Sequence, residues 1–275
     1  MGGNNQANLV DARGRPICPA AYYSRAGFKW EFPTAVLLYG VVMHASTLIS
    51  LSSQKSLTMK TRQSDTQQQT ALLIAAAILI AALCVSAIRP YDRLTWLMEV
   101  MPVLIALPVL AFTYKRFPLT TLLYVLIFLH ALILIVGGTY TYARVPVGNW
   151  VQDWLSLARN PYDKLGHFWQ GLVPALVATE IFVRGNYVNG KKMVAFLSIC
   201  VAMAISAWYE LIEWWAALIM GQGADEFLGT QGDQWDTQSD MWLAFLGATV
   251  AVVALARLHH RQLRRYVTAE GTVEN

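Results

Sequence analysis

Three short stretches hold the residues that could do chemistry: "NPYDKLGHFWQG" (160–171), "WYELIEWW" (208–215) and "GTQGDQWDTQSDMW" (229–242). In the first, Asp163 and His167 are four apart, so on a helix they share one face. Asp163 could instead cap free backbone amides after Pro161. In the second, Glu210 and Glu213 are three apart in an otherwise apolar run. An ionisable group at membrane depth costs about 2.5–3.5 kcal/mol on insertion scales, which calls for a partner. The alternative is that the helix leaves the bilayer near Ser206 and puts both glutamates among the headgroups. The third stretch carries Asp233, Asp236 and Asp240 and no basic residue. Thr237 and Asp240 fit a capping box, while Gly229 and Gly232 suggest a tight, shaped loop. Histidine, glutamate and aspartate together form the donor set of a hard or borderline divalent cation. They also supply the parts for general acid–base work. The residues expected to act on protons are His167, Glu210, Glu213 and Asp163. Those expected to hold a cation are Asp236, Asp240, Asp233 and Glu210. Lys164, Arg159, Trp169, Trp214, Gln231 and Trp235 are placed to contact an anionic headgroup.

These groups must be positioned by membrane helices. The chain has 275 residues, 56% hydrophobic and only 14% charged, which is low for a soluble domain. Apolar runs of about 18 residues or more read as spans, at 71–88, 94–114, 119–138, 165–183, 193–219 and 241–258. The expected fold is an all-α transmembrane bundle of six spans. A weaker apolar segment at 33–51 is interrupted by His44, Ser46 and Thr47, and reads either as a seventh span or as a re-entrant segment. The chain divides into an N-terminal extension (1–70), a membrane domain (71–265) and a tail (266–275). Pro102 and Pro108 should kink the second span and Pro174 the fourth. The first thirty residues are mixed and polar, unlike a cleavable signal peptide. The three cysteines have no spacing that suggests disulfides or a zinc site. Nothing suggests nucleic-acid binding.

Charge sets the orientation. With the C-terminus in the cytoplasm, twelve lysines and arginines fall on inner segments and five on outer ones, as the positive-inside rule requires. The other four, Arg13, Arg15, Arg25 and Lys29, precede the 33–51 segment and would lie outside if it spanned, which favours the re-entrant reading. Eleven acids and nine of the ten tryptophans then gather at the outer side. An ordinary aromatic belt would mark both interfaces, so the outer side carries something more. His130, inside the third span, needs a polar neighbour or packs as a core histidine; Glu99 is its candidate partner. Glu180 and Arg184 read as a helix-stabilising pair and interface anchor.

The runs "RPYDRLTWLMEVMPVLIALPVL", "NPYDKLGHFWQGLVPALVATEI" and "AISAWYELIEWWAALIMGQGADEFLGTQGDQWDTQSDM" resemble the YjdF family of bacterial inner-membrane proteins, over roughly residues 72–265. That resemblance implies topology and location, and brings no reaction with it. More distantly, Asp163-Lys164…His167, a mid-chain glutamate and a final aspartate at a helix start resemble the VanZ-like superfamily.

Two classes of function follow from the residues. One is an outer-leaflet site that binds, or acts on, a lipid-linked headgroup with a divalent cation. The other is a proton- or cation-coupled carrier using Glu99, His130, Glu210 and Glu213. The apolar inner halves of spans three, five and six argue against a through-path. A structural or partner-binding protein whose outer acids only shape loops is the third possibility; no hydrolase motif surrounds Ser206.

Overall fold

The computed structural model describes residues 60–220 and 232–270. The weak segment at 33–51, Gly229 and Gln231 lie outside these residues, as do 271–275. The described residues belong to one of the chain's two compact units, Leu48–Asn275. They form eight α-helices and one short 3-10 turn. The helices are α1 (Lys60–Ile88), α2 (Arg93–Thr113), α3 (Thr121–Tyr140), α4 (Pro146–Leu155), α5 (Tyr162–Arg184), α6 (Lys191–Met220), α7 (Asp236–Val253) and α8 (Ala256–Glu270), with the 3-10 turn Tyr142–Arg144 between α3 and α4.

Four of them are long and apolar enough to cross a membrane, over Thr66–Ile88, Arg93–Thr113, Thr121–Tyr140 and Lys191–Ile219. Helix α7 qualifies only together with the start of α8, and the two are bent by 58°. A straight span over 241–258 is therefore not formed. Its physical reason is the density of charge after Ala256: Arg257, His259, His260 and Arg261 cannot continue down a hydrocarbon core, so the chain turns. The helix then runs on through Glu270, into the segment expected to be a tail.

Local signals explain the helix ends. Asp92 caps α2 by accepting from the Thr95 amide at 2.7 Å. That backbone bond holds the Asp92 carboxyl below its ordinary range. Pro146 stands in the first turn of α4, where its missing N–H costs nothing. Ser156 closes α4 in the left-handed region at φ 51°. Pro102 and Pro108 lie inside α2, and Pro174 inside α5.

Two apolar clusters hold the bundle. One gathers Leu79, Leu83, Val100, Val103, Leu134 and Tyr142. The other gathers Leu123, Leu172, Leu176, Ala202, Ala248 and Ala251. Small residues matter most between α5 and α7. A Cβ on Gly171 would overlap the Ala244 carbonyl, and one on Gly247 the Phe168 carbonyl. Such close backbone approach is the usual basis of helix association in lipid, where apolar burial gives no driving force. The two helices run parallel. They meet near their starts, where Lys164 Nζ donates to Ser239 Oγ, and again midway at Gly171 and Ala244.

At the opposite end, where α5 finishes, Glu180 is fully buried. Its carboxylate accepts from the Thr120 amide at 3.0 Å and from Thr120 Oγ1 at 3.0 Å. It also pairs with Arg184 at 3.1 Å and with His259 Nε2 at 3.1 Å. The expected Glu180–Arg184 pair is thus present, but as part of a buried node tying α3, α5 and α8 together. Gln262 accepts from the Leu122 amide and Tyr266 donates to the Leu119 carbonyl, which fixes α8 against the start of α3.

A candidate cation centre where α5 and α7 begin

Helix α5 brings Asp163 and His167 to one face, as their spacing predicts. Asp163 Oδ1 lies 3.4 Å from His167 Nε2. Helix α7, pressed against α5 by the two glycines, delivers Asp240 to the same place. One ligand atom from each of Asp163, His167 and Asp240 lies within 4.8 Å of the others. All three side chains are buried, at 4%, 4% and 2% exposure. Asp163 Oδ2 and Asp240 Oδ1 have no hydrogen-bond partner. Two buried carboxylate oxygens without donors are costly unless a cation or proton meets them.

Helix α6 runs antiparallel to α5 and contributes Glu210, whose Oε1 is 3.6 Å from His167 Nδ1. The same ring nitrogen lies 3.0 Å from Gln170 Oε1. An Nε2 proton would donate to Asp163; a proton on Nδ1 would instead donate to Gln170 and leave the Nε2 lone pair facing Asp163. The latter is the arrangement by which a metal-ligating imidazole is usually oriented. Glu213, half-buried, lies one turn nearer the end of α6.

The remaining acids divide away from this cluster. Asp236 pairs with Arg159, and Asp233 lies 3.5 Å from the same guanidinium. Burial works against the Arg159 charge, but the hydrogen bond and charge of Asp236 outweigh it and raise the guanidinium above its ordinary value. Arg159 is thus engaged with aspartates, and Asp233 and Asp236 with Arg159. Asp163 is no N-cap: the cap of α5 is Pro161, without a side-chain bond. The capping box is not formed either, because α7 begins at Asp236 with Trp235 as its cap and no side-chain bond. Lys164 keeps a neutral partner, Ser239 Oγ, at 2.6 Å. Trp214 and Trp235 face outward, and Trp169 sits 6.4 Å from the His130 ring.

The suggested partnership of His130 and Glu99 is not formed. His130 Nε2 has no hydrogen-bond partner, and Glu99 instead meets the Tyr142 hydroxyl. Three contributors lie beyond what the sequence suggested. Tyr142 fits against Gly137 and Gly166, which leave room for its ring. Asn160 ties the approach to α5, donating to the Val145 carbonyl and to Asn149 and accepting from the Tyr162 amide. Gln170 orients His167. Only Gln170 carried a sequence signal, being one turn beyond His167 on the same helix.

Several membrane-length apolar helices around a buried acid–histidine cluster define an all-helical, multi-pass membrane protein. Comparison with known proteins agrees. Residues 71–261 match the family described as "Predicted membrane protein (DUF2238)". The inner membrane protein YjdF of Escherichia coli (strain K12) is 68% identical over 196 residues, covering 71% of this chain and 94% of that protein. The chain belongs to this membrane-protein family. No solved structure matches it.

Proposed function

We propose that the chain is a six-span protein of the bacterial inner membrane, with its C-terminus cytoplasmic and a divalent-cation site at the outer face that receives a lipid-linked headgroup. The location follows the relative's name, and the orientation follows the lysine and arginine counts. Helix α5 is the additional span, and α7 the last. The 33–51 segment belongs to the extension that precedes the membrane domain. The more distant VanZ-like likeness rests on Asp163, Lys164, His167, a glutamate and Asp240 alone, and adds no reaction.

One observation carries this reading: Asp163, His167 and Asp240 converge in a buried cluster with two carboxylate oxygens unpartnered. The cation ligands are Asp163, His167 and Asp240, with Glu210 and Gln170 behind the imidazole. Asp233 and Asp236 hold Arg159 in place and thereby fix the segment that leads into α5. With a cation bound, Glu210 and Glu213 are placed to exchange protons with groups at the site. A carrier is less well supported, because the buried apolar layer of Leu172, Leu176, Ala202 and Ala248 separates this cluster from Glu180.

The test is metal analysis of the detergent-purified full chain. Stoichiometric divalent metal is expected in the native chain and at least a tenfold weaker affinity in Asp240→Asn, in line with the cost of about 1.5–3 kcal/mol for losing a charged ligand contact. Equal metal content in the two proteins overturns the reading.

A further inference from the structure

A cation in this cluster still needs something to act upon, and the surroundings specify its chemistry. Lys164 lies one residue from Asp163 in α5, and its partner Ser239 lies one residue from Asp240 in α7. Its ammonium is half-buried and held by the Ser239 hydroxyl at 2.6 Å. Ser239 Oγ is itself anchored on the Asp236 carbonyl at 2.9 Å. Among the described residues Lys164 forms no ion pair, although four aspartates stand nearby. Arg159 pairs with Asp236 and lies near Asp233, and a divalent cation would meet Asp163 and Asp240, so the hydrogen-bond partner of the Lys164 ammonium stays the neutral Ser239 hydroxyl.

The helix geometry adds to it. Helices α5 and α7 are parallel and begin side by side. At α5 the Tyr162 amide is already taken by Asn160, and Asp163 and Asp236 stand in the two first turns. The amides that follow and the positive dipole ends of both helices lie on this side of the bundle. Paired helix starts, a lysine point charge and a divalent cation form a convergent receptor for one multiply charged oxyanion.

We propose that this site binds a phosphate group, with one oxygen on the cation held by Asp163, His167 and Asp240 and another on Lys164. The proposal rests on the cation reading and names the ligand class for it. A phosphate fits better than a carboxylate because it has enough oxygens to meet the cation, the ammonium and an amide together. The phosphate could be free or could be the headgroup of a lipid phosphomonoester. The chemistry at the cluster is the same in both cases.

Manganese makes the two steps separable. The full chain, purified in a phosphate-free maltoside detergent, is loaded with Mn2+, and occupancy is read by electron paramagnetic resonance. Inorganic phosphate is then titrated and its 31P relaxation measured. The expected result is tight Mn2+ binding, with 31P relaxation enhanced beyond that caused by the same concentration of free Mn2+. Lys164→Gln should bind Mn2+ like the native chain and phosphate on the order of tenfold more weakly. Repeating the titration with micelles containing phosphatidic acid identifies the source. Tighter binding than inorganic phosphate assigns the lipid, and equal or weaker binding assigns the free ion. Mn2+ bound with no 31P enhancement, or phosphate affinity unchanged in Lys164→Gln, overturns the phosphate proposal and leaves the cation site standing. Failure of the native chain to bind Mn2+ removes both.

Discussion

At the scale of single residues, burial decides what each acid does. Asp163 and Asp240 are buried with one carboxylate oxygen each unpartnered, Asp233 and Asp236 are committed to Arg159, and Glu180 is saturated by three other residues. Sequence spacing found the first relation, because Asp163 and His167 lie on one helix face. It could not sort the other aspartates, since Arg159 reaches Asp236 across a long separation in the chain. Glu180 shows the same limit. Its four-residue spacing from Arg184 is visible, whereas Thr120 and His259 lie 60 and 79 residues away. This makes Glu180 a sharp test of stability. Glu180→Ala leaves Arg184 and His259 buried without their carboxylate, a loss of about 3–5 kcal/mol. A large fall in thermal midpoint is expected in detergent, with smaller loss in Glu180→Gln, which keeps an acceptor for Thr120. Cation content in the surviving folded protein should be unchanged, because thirteen residues of α5 separate Glu180 from His167, about 20 Å. A midpoint equal to that of the native chain would show that the node contributes nothing.

At the scale of elements, the close contact of α5 with α7 sets the site. Periodicity and hydropathy revealed that both helices exist. They did not reveal that the two run parallel and touch backbone to backbone, because glycine carries no hydropathy signal of its own. Gly171→Val is expected to force the helices apart against the Ala244 carbonyl, costing about 1–3 kcal/mol and weakening metal affinity by withdrawing Asp240 from Asp163. Unchanged stability and unchanged metal affinity together would sink this account. The end of α7 was misread for a different reason. Apolar residues run on through Leu258 past the first charge at Arg257, so hydropathy alone blurs the boundary. The contacts of α8 with Glu180 and Leu122 that accompany the 58° bend are made with residues distant in the chain. Helix α4 was absent from the sequence reading because ten residues are too few to span. Its Trp150 and Trp154 are largely exposed, at 72% and 82%. They account for part of the one-sided excess of tryptophan, since such rings favour the headgroup level.

At the scale of the whole molecule, two polar clusters stand at opposite ends of α5 with an apolar layer between them. In the proposed orientation the His167 cluster faces outward and the basic helix α8 faces the cytoplasm. A reporter fused after Tyr266 is expected to be active only as a cytoplasmic fusion. Periplasmic activity would invert the molecule and move the cation site to the inner leaflet. The class of fold was legible because lipid demands long uniform segments; of the six expected runs four qualify as spans on their own and a fifth only as the bent α7–α8 pair. The exception is α5, which is long enough at 23 residues but does not qualify by composition among the apolar helices.

That exception bears on how the protein is made. During synthesis α5 emerges with Asp163, Lys164, His167 and Glu180 each lacking a final neighbour that lies later in the chain. Asp240 and Ser239 are translated only after α6 is complete, about fifty residues beyond the end of α5. His259, which meets Glu180, follows later still. A segment this polar partitions poorly into lipid by itself. In the proposed six-span topology α5 is therefore expected to enter the bilayer only once α7 can pair with it.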